Sequence, residues 1–163
     1  MSQRPERAEG RRDRVSVARN PKATHEYHIL ETLEAGIVLR GTEVKSLRVG
    51  KASIKEAYAT IRNGEVWLEG MHITPYEQGN RWNHEPVRVR KLLLHRREIE
   101  RLIGQVERGG RTLVPLELFF HQGKAKVALA LGQGKKDHDK REALKRRIAD
   151  REMARALAGK GRE

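Results

Sequence analysis

The chain has 163 residues, and its 35 Lys and Arg against 22 Asp and Glu leave a formal net charge of +13. That length holds one domain of about 100–150 residues plus tails, and a cationic surplus of this size points to a polyanionic partner. Cysteine is absent, which excludes disulfides, thiolate metal sites and a cysteine nucleophile. The longest unbroken apolar run is Val127 to Leu131. That is far short of the roughly 20 residues that span a bilayer, so a cytoplasmic protein with no membrane partner is expected.

Residues 1–20 carry six Arg and three acids, and beyond Met1 their only large apolar side chains are Val15 and Val17. So little apolar surface does not offset the entropy of ordering, and a disordered basic N-terminus is predicted over 1–20. Residues 21–132 hold nearly all the β-branched and aromatic residues and read as the folded domain. Tyr27, Ile29, Glu31 and Leu33 alternate with His28, Leu30 and Thr32, a period of two that predicts a strand. Ile37-Val38-Leu39 is a second strand or a bend continuing the first. Gly41 to Leu47 reads as a short helix, with Thr42 as N-cap and Gly50 closing it.

Ile54–Ile61 and Val66–Ile73 flank Asn63-Gly64, the strongest short hairpin signal, because both turn residues need positive φ. Pro75, Gly79, Asn80, Asn83 and Pro86 make 74–86 a long polar loop. From His95 to Arg108, Ile99, Leu102, Ile103 and Val106 fall at i, i+3, i+4 and i+7, and Gly109-Gly110 stops this amphipathic helix. Thr112–His121 and Lys124–Leu131 form a second hairpin about Gln122-Gly123. The fold class is therefore mainly β: an antiparallel oligonucleotide-binding-like barrel with one long and one short helix, because closure buries one face of each strand and removes the edges. Trp67, Phe119 and Phe120 are assigned to its core.

Residues 133–163 carry 11 basic and six acidic residues. Positions 137–158 contain no Gly or Pro, yet on a wheel of about 100° per residue Leu144 and Ile148 lie opposite Met153 and Leu157. Without an apolar stripe nothing docks on a barrel. This basic tail is expected to be disordered when free and helical on a partner, the alternative being a merely solubilising appendage.

His25, His28 and Glu31 are spaced three apart, which suits metal ligands on a helix but puts them on opposite faces of a strand. No metal, cofactor or catalytic residue is therefore expected, and the chain has no Gly-x-Ser-x-Gly, Walker or dinucleotide motif. Gly132-x-Gly134-Lys135-Lys136 reads as a hinge into the tail. Nothing in the sequence pairs any two of Glu31, Glu34, Glu43 and Glu56. Basic clusters stand at Arg88, Arg90, Lys91, Arg96 and Arg97, and at Lys124 and Lys126. With only seven aromatic residues, recognition of structured RNA by shape and backbone suits the composition better than stacking along a single strand.

Several long strings carry a family resemblance over residues 19 to about 147. They are His25-Glu26-Tyr27, Glu34-Ala35-Gly36-Ile37-Val38-Leu39, Gly41-Thr42-Glu43-Val44-Lys45-Ser46-Leu47-Arg48 and Gly50-Lys51-Ala52. Met71-His72-Ile73-Thr74-Pro75-Tyr76, Arg90-Lys91-Leu92-Leu93-Leu94-His95, Thr112-Leu113-Val114-Pro115 and Gly134-Lys135-Lys136-Asp137-His138-Asp139-Lys140-Arg141 continue them. On these the chain resembles the SsrA-binding protein (small protein B) family, partners of transfer-messenger RNA. Arg111 stands where an aromatic is expected, and His95 where some members carry Asn.

The resemblance implies a barrel that grips the tRNA-like domain of transfer-messenger RNA and takes part in rescuing stalled ribosomes without performing chemistry. By position it places RNA contacts at Glu34, Leu93, His95 and Lys126, with Tyr27 and Gly36 nearby. The basic residues Arg90, Lys91 and Lys124 join them as candidates. It further implies that Lys135, Lys136, Asp137, His138, Lys140 and Arg141 belong to a segment that enters the empty message channel at the small-subunit decoding centre. Transfer-messenger RNA and the ribosome are the implied partners, and a monomer is expected in the RNA complex.

Overall fold

The computed structural model describes residues 13–78 and 83–160, apart from the side chains of 137–139 and 160. Among these, β1 (Arg14–Arg19), α1 (Lys22–Glu26), β2 (Tyr27–Ile37), α2 (Gly41–Arg48) and β3 (Ala52–Ser53) come first. They are followed by β4 (Tyr58–Arg62), β5 (Glu65–Glu69), β6 (His72–Ile73), β7 (Arg90–Leu93) and α3 (Arg96–Val106). The chain ends with β8 (Arg111–His121), β9 (Lys124–Gly134) and α4 (Asp137–Lys160).

Six strands close into an antiparallel barrel in the order β8-β4-β5-β7-β2-β9, the β8–β9 pairing completing the ring. β1 adds to the outside of β8, and β3 and β6 pair separately. The expected mainly β, antiparallel architecture is thus present. Both predicted hairpins turn where expected: Asn63 and Gly64 have φ of 51° and 74°, and Gln122 and Gly123 have 50° and 75°. Two consecutive positive φ angles match the right-handed twist of the flanking strands.

Alternation along β2 sends Leu33, Ala35 and Ile37 inward to meet Leu68, Leu92, Leu113, Val127 and Leu129. α3 buries Leu102 in the same core, with Ile99 and Val106 packed beside it, as its spacing predicts. Phe119 is buried beneath the Arg14 guanidinium, which lies 3.6 Å from the ring centroid. Trp67 and Phe120 are only half-buried.

Several elements differ from the sequence reading. Disorder does not hold for Arg14–Arg19: this segment pairs with β8 from Arg14↔His121 to Arg19↔Glu117. Its order comes from backbone bonds to a long-range partner strand, which composition does not register. Residues 1–12, like Gly79, Asn80 and Trp82 of the long loop, lie outside the described residues. His25 belongs to the five-residue helix α1 rather than to a strand. β9 runs to Gly134, paired with Tyr27, so the barrel crosses the predicted boundary at 132. Arg40, not Thr42, is the N-cap of α2, and its backbone N–H donates to Glu43 Oε1 at 2.8 Å.

The segment expected to be unfolded in the free chain is a continuous helix of 24 residues. Strong helix formers without Gly or Pro through 158 sustain it by intrinsic propensity. Its Leu144, Ile148, Met153 and Leu157 stay 47–73% exposed, so the predicted lack of a docked stripe holds.

Candidate nucleic-acid interface

A cleft of about 630 Å³ opens on the outer face of the barrel, where β2, β7, the β8–β9 tip and the start of α3 meet. The inward residues of β2 leave Glu34 and Gly36 facing out. Gly36 lies opposite Leu93 of β7 on one side and Lys126 of β9 on the other. A Cβ at position 36 would stand 3.2 Å from Leu93 Cβ, so glycine lets Leu93 lie across β2. Leu93 is 52% exposed, an apolar side chain presented to solvent.

Lys126 Nζ sits 3.8 Å from Glu34 Oε1, both partly exposed. An ion pair this long and this wet contributes little to stability, which leaves both groups free to exchange partners. His95 caps α3 with extended backbone, and its backbone N–H donates to Glu98 Oε1 at 3.1 Å. Its exposed ring and Lys124 from the hairpin tip complete the rim. Glu34, Gly36, Leu93, His95, Lys124 and Lys126, drawn from four separate elements or turns, therefore line one recess. The arrangement offers a cation to phosphate, a carboxylate to base amino groups or ribose hydroxyls, and an apolar surface to an unstacked base.

Three predicted contacts do not join it. Arg90 is wholly buried: it bonds Glu43 Oε2, donates to Met71 O at 2.8 Å and to Pro86 O at 3.1 Å, and has no surface to offer RNA. Its inward place follows from β7 alternation, with Leu92 on the same face. Lys91 points outward but pairs with Glu65 at 3.0 Å, away from the cleft. Tyr27 lies nine residues from Gly36 along β2, roughly 30 Å at ~3.3 Å per residue. It packs over Gly132 in a satellite cluster with Ala23, Val114 and Ala130.

Glu43 accepts from Arg88 at 2.5 Å, from Arg90 and from the Arg40 N–H. Burial alone raises its pKa, but these donors outweigh it and hold the carboxyl below the ordinary 4.5. Burial pushes the Arg90 guanidinium pKa down, opposed by Glu43. No local signal in the sequence joins Glu43 to residues 45 and 47 positions downstream.

At the root of the tail, Lys135 is tied to α1: its backbone N–H donates to Glu26 O at 2.8 Å and its Nζ to Thr24 O at 3.0 Å. The Lys140 N–H donates to Lys136 O, and Arg141 is exposed. The side chains of Asp137 and His138 lie outside the described residues. Phe120, which lines the cleft, was missed as a site residue. Its only signal is its place one turn from Lys124, opposite Ala125. Arg111 bonds Gln105 of α3.

Among the described residues no three His, Asp or Glu gather as metal ligands, and Glu31 pairs with Arg101 at 2.6 Å. No described helix is long and apolar enough to cross a membrane.

Comparison with known proteins adds an independent line. The SmpB protein family model matches residues 17–159. An SsrA-binding protein of Desulforudis audaxviator is 60% identical over 145 residues, covering 89% of this chain and 95% of the relative. One from Corynebacterium urealyticum is 60% identical over 144 residues, covering 88% and 81%. A solved chain described as "tmRNA-SmpB: a journey to the center of the bacterial ribosome" matches with a TM-score of 0.62 at 51% identity, over 77% of this chain and 92% of that one. With a family match across nearly the whole barrel and tail, and relatives this similar over almost their full length, the chain belongs to the SmpB family.

Proposed function

We propose that this protein is a non-enzymatic RNA-binding adaptor that holds the tRNA-like domain of transfer-messenger RNA and delivers it to stalled ribosomes for trans-translation, in the cytoplasm. The observation that carries this reading is the outer-face cleft that unites Glu34, Leu93, His95, Lys124 and Lys126 in a member of the SmpB family. Lys126 meets phosphate, Glu34 accepts from base amino groups or ribose hydroxyls, and Leu93 covers an unstacked base. Binding of this kind requires no chemical step.

The cationic helix α4 supplies the second half of the reading. The string from Lys135 to Arg141, which leads into this helix and begins it, enters the message channel at the small-subunit decoding centre, where its cations meet rRNA phosphates. A channel filled by message excludes it, so steric competition selects stalled ribosomes.

Binding is measured for transfer-messenger RNA, an unrelated tRNA and a duplex across a salt series. The expected result is strong preference for the first, and a Lys126→Ala variant that weakens binding and lowers the salt slope by about one. Equal affinities for the three RNAs would replace the reading with that of a general RNA binder.

A further inference from the structure

Helix α2 buries Glu43, Ser46 and Leu47. Lys45 and Arg48, three positions apart, therefore share its outer side. Each lies over an aromatic ring: Lys45 Nζ is 5.5 Å from the centroid of Tyr76, and Arg48 Cζ is 5.9 Å from that of Phe120. Phe120 lines the cleft described above. Tyr76 lines a second groove of about 270 Å³ with Ser46, Val49 and Pro75. One helical face thus joins two recesses.

Hydrogen bonds join the segments that line the second groove. The Tyr76 N–H donates to Asn83 Oδ1 at 3.0 Å, and the Asn83 amide donates back to the Tyr76 carbonyl. Ser46 Oγ donates to Thr74 O at 2.6 Å, and the Thr74 N–H to Lys51 O at 3.0 Å. Val49 is 59% exposed, so an exposed apolar side chain and the half-buried Tyr76 ring line one groove.

This face also presents its cations to solvent. Lys91, Arg101 and Lys126 each pair with a carboxylate. Among the described residues Lys45 and Arg48 have none, and the acid of the groove, Glu77, pairs with Lys51 at 3.6 Å. A cation resting on a ring keeps its full charge while losing freedom in advance, which favours phosphate over a neutral partner.

We propose that the RNA footprint continues from the cleft across α2 into the Tyr76 groove. Lys45 and Arg48 contact the phosphate backbone, and an unpaired base stacks on Tyr76 against Val49 and Pro75. This rests on the RNA-binding reading above and extends it to residues outside the cleft.

Full-length protein is labelled with an acetylating reagent with and without transfer-messenger RNA, and lysine protection is read by mass spectrometry. Lys45 and Lys126 are both expected to be protected. In parallel, the paired substitution Lys45→Gln with Arg48→Gln is expected to lower the salt slope by about two. Tyr76→Leu should weaken binding about tenfold, with Tyr76→Phe restoring it. Protection of Lys126 with Lys45 labelled at its free rate overturns the inference while leaving the cleft intact, as does an unchanged salt slope in the paired variant. Loss of protection at both lysines overturns the RNA-binding reading itself, and this inference with it.

Discussion

At Glu43 three donors converge on one carboxylate inside the protein, from Arg88, Arg90 and the Arg40 N–H. Removing that charge leaves a buried guanidinium without its counterion, so Glu43→Gln is expected to cost about 3 kcal/mol in urea unfolding at neutral pH. The pH dependence has a definite sign. The folded pKa lies below the ordinary carboxylate value of 4.5. The contribution of Glu43 is therefore complete above that value and disappears as pH falls through the folded pKa. The acid limb of the stability profile should be flatter in Glu43→Gln than in the wild type; parallel limbs would assign acid unfolding to other carboxylates. Gly36 acts by what it lacks. In Gly36→Ala the new methyl displaces the half-exposed Leu93 by a few tenths of an ångström. Stability should change by no more than about 1 kcal/mol, because a surface side chain moves and a flexible residue is lost. Affinity for transfer-messenger RNA should fall severalfold, and unaltered affinity would remove Leu93 from the contact.

Among the elements, those with a strong local pattern were legible. The Asn63-Gly64 turn needs nothing beyond its own two residues, and α3 shows its buried face through Ile99, Leu102, Ile103 and Val106. β1, α1 and β7 were not legible, since each is six residues or shorter and acquires its order from distant strands. α4 stands at the other extreme, long and locally regular but almost devoid of tertiary support. Hydrogen exchange should separate the two kinds of order. Amides at the centre of β8 and β9 are expected to exchange slowest, and those of residues 141–158 orders of magnitude faster, because an exposed helix opens without breaking the core. Comparable protection in both would mean that α4 is packed against the barrel.

At the scale of the whole molecule, a closed barrel carries the cleft of Glu34, Leu93 and Lys126 on its outer face, while α4 leaves from the opposite end of β2, beside Tyr27. The cleft and the root of the tail therefore stand at opposite ends of one strand. A truncation that tests this division must fall after Lys136, because β9 reaches Gly134 and Lys135 is tied to α1. The protein lacking residues 137–163 should bind transfer-messenger RNA within about threefold of the full chain at physiological salt, because the tail leaves the barrel at the end of β2 away from the cleft. It should fail to support tagging on ribosomes stalled in a purified translation system. A collapse of RNA affinity would show instead that the tail helps to hold the RNA.

Local sequence suffices for the cationic character, the absence of thiol chemistry, the β-rich middle, two hairpins, one amphipathic helix and a tail without a sticky face. Its long uncommon strings also determined the family. These are properties of neighbouring residues, readable because side-chain alternation, turn conformation and helical periodicity act over a few positions. Tertiary structure alone decided which charges are surface and which are interior. Arg90 and Lys91 are adjacent and look alike, yet strand alternation buries one against Glu43 and exposes the other to Glu65. It likewise parted Tyr27 from Gly36 on a single strand, and brought Gly36, Leu93 and Lys126 side by side from three. Contacts of that kind depend on register and closure, which are set by the summed packing of the whole barrel.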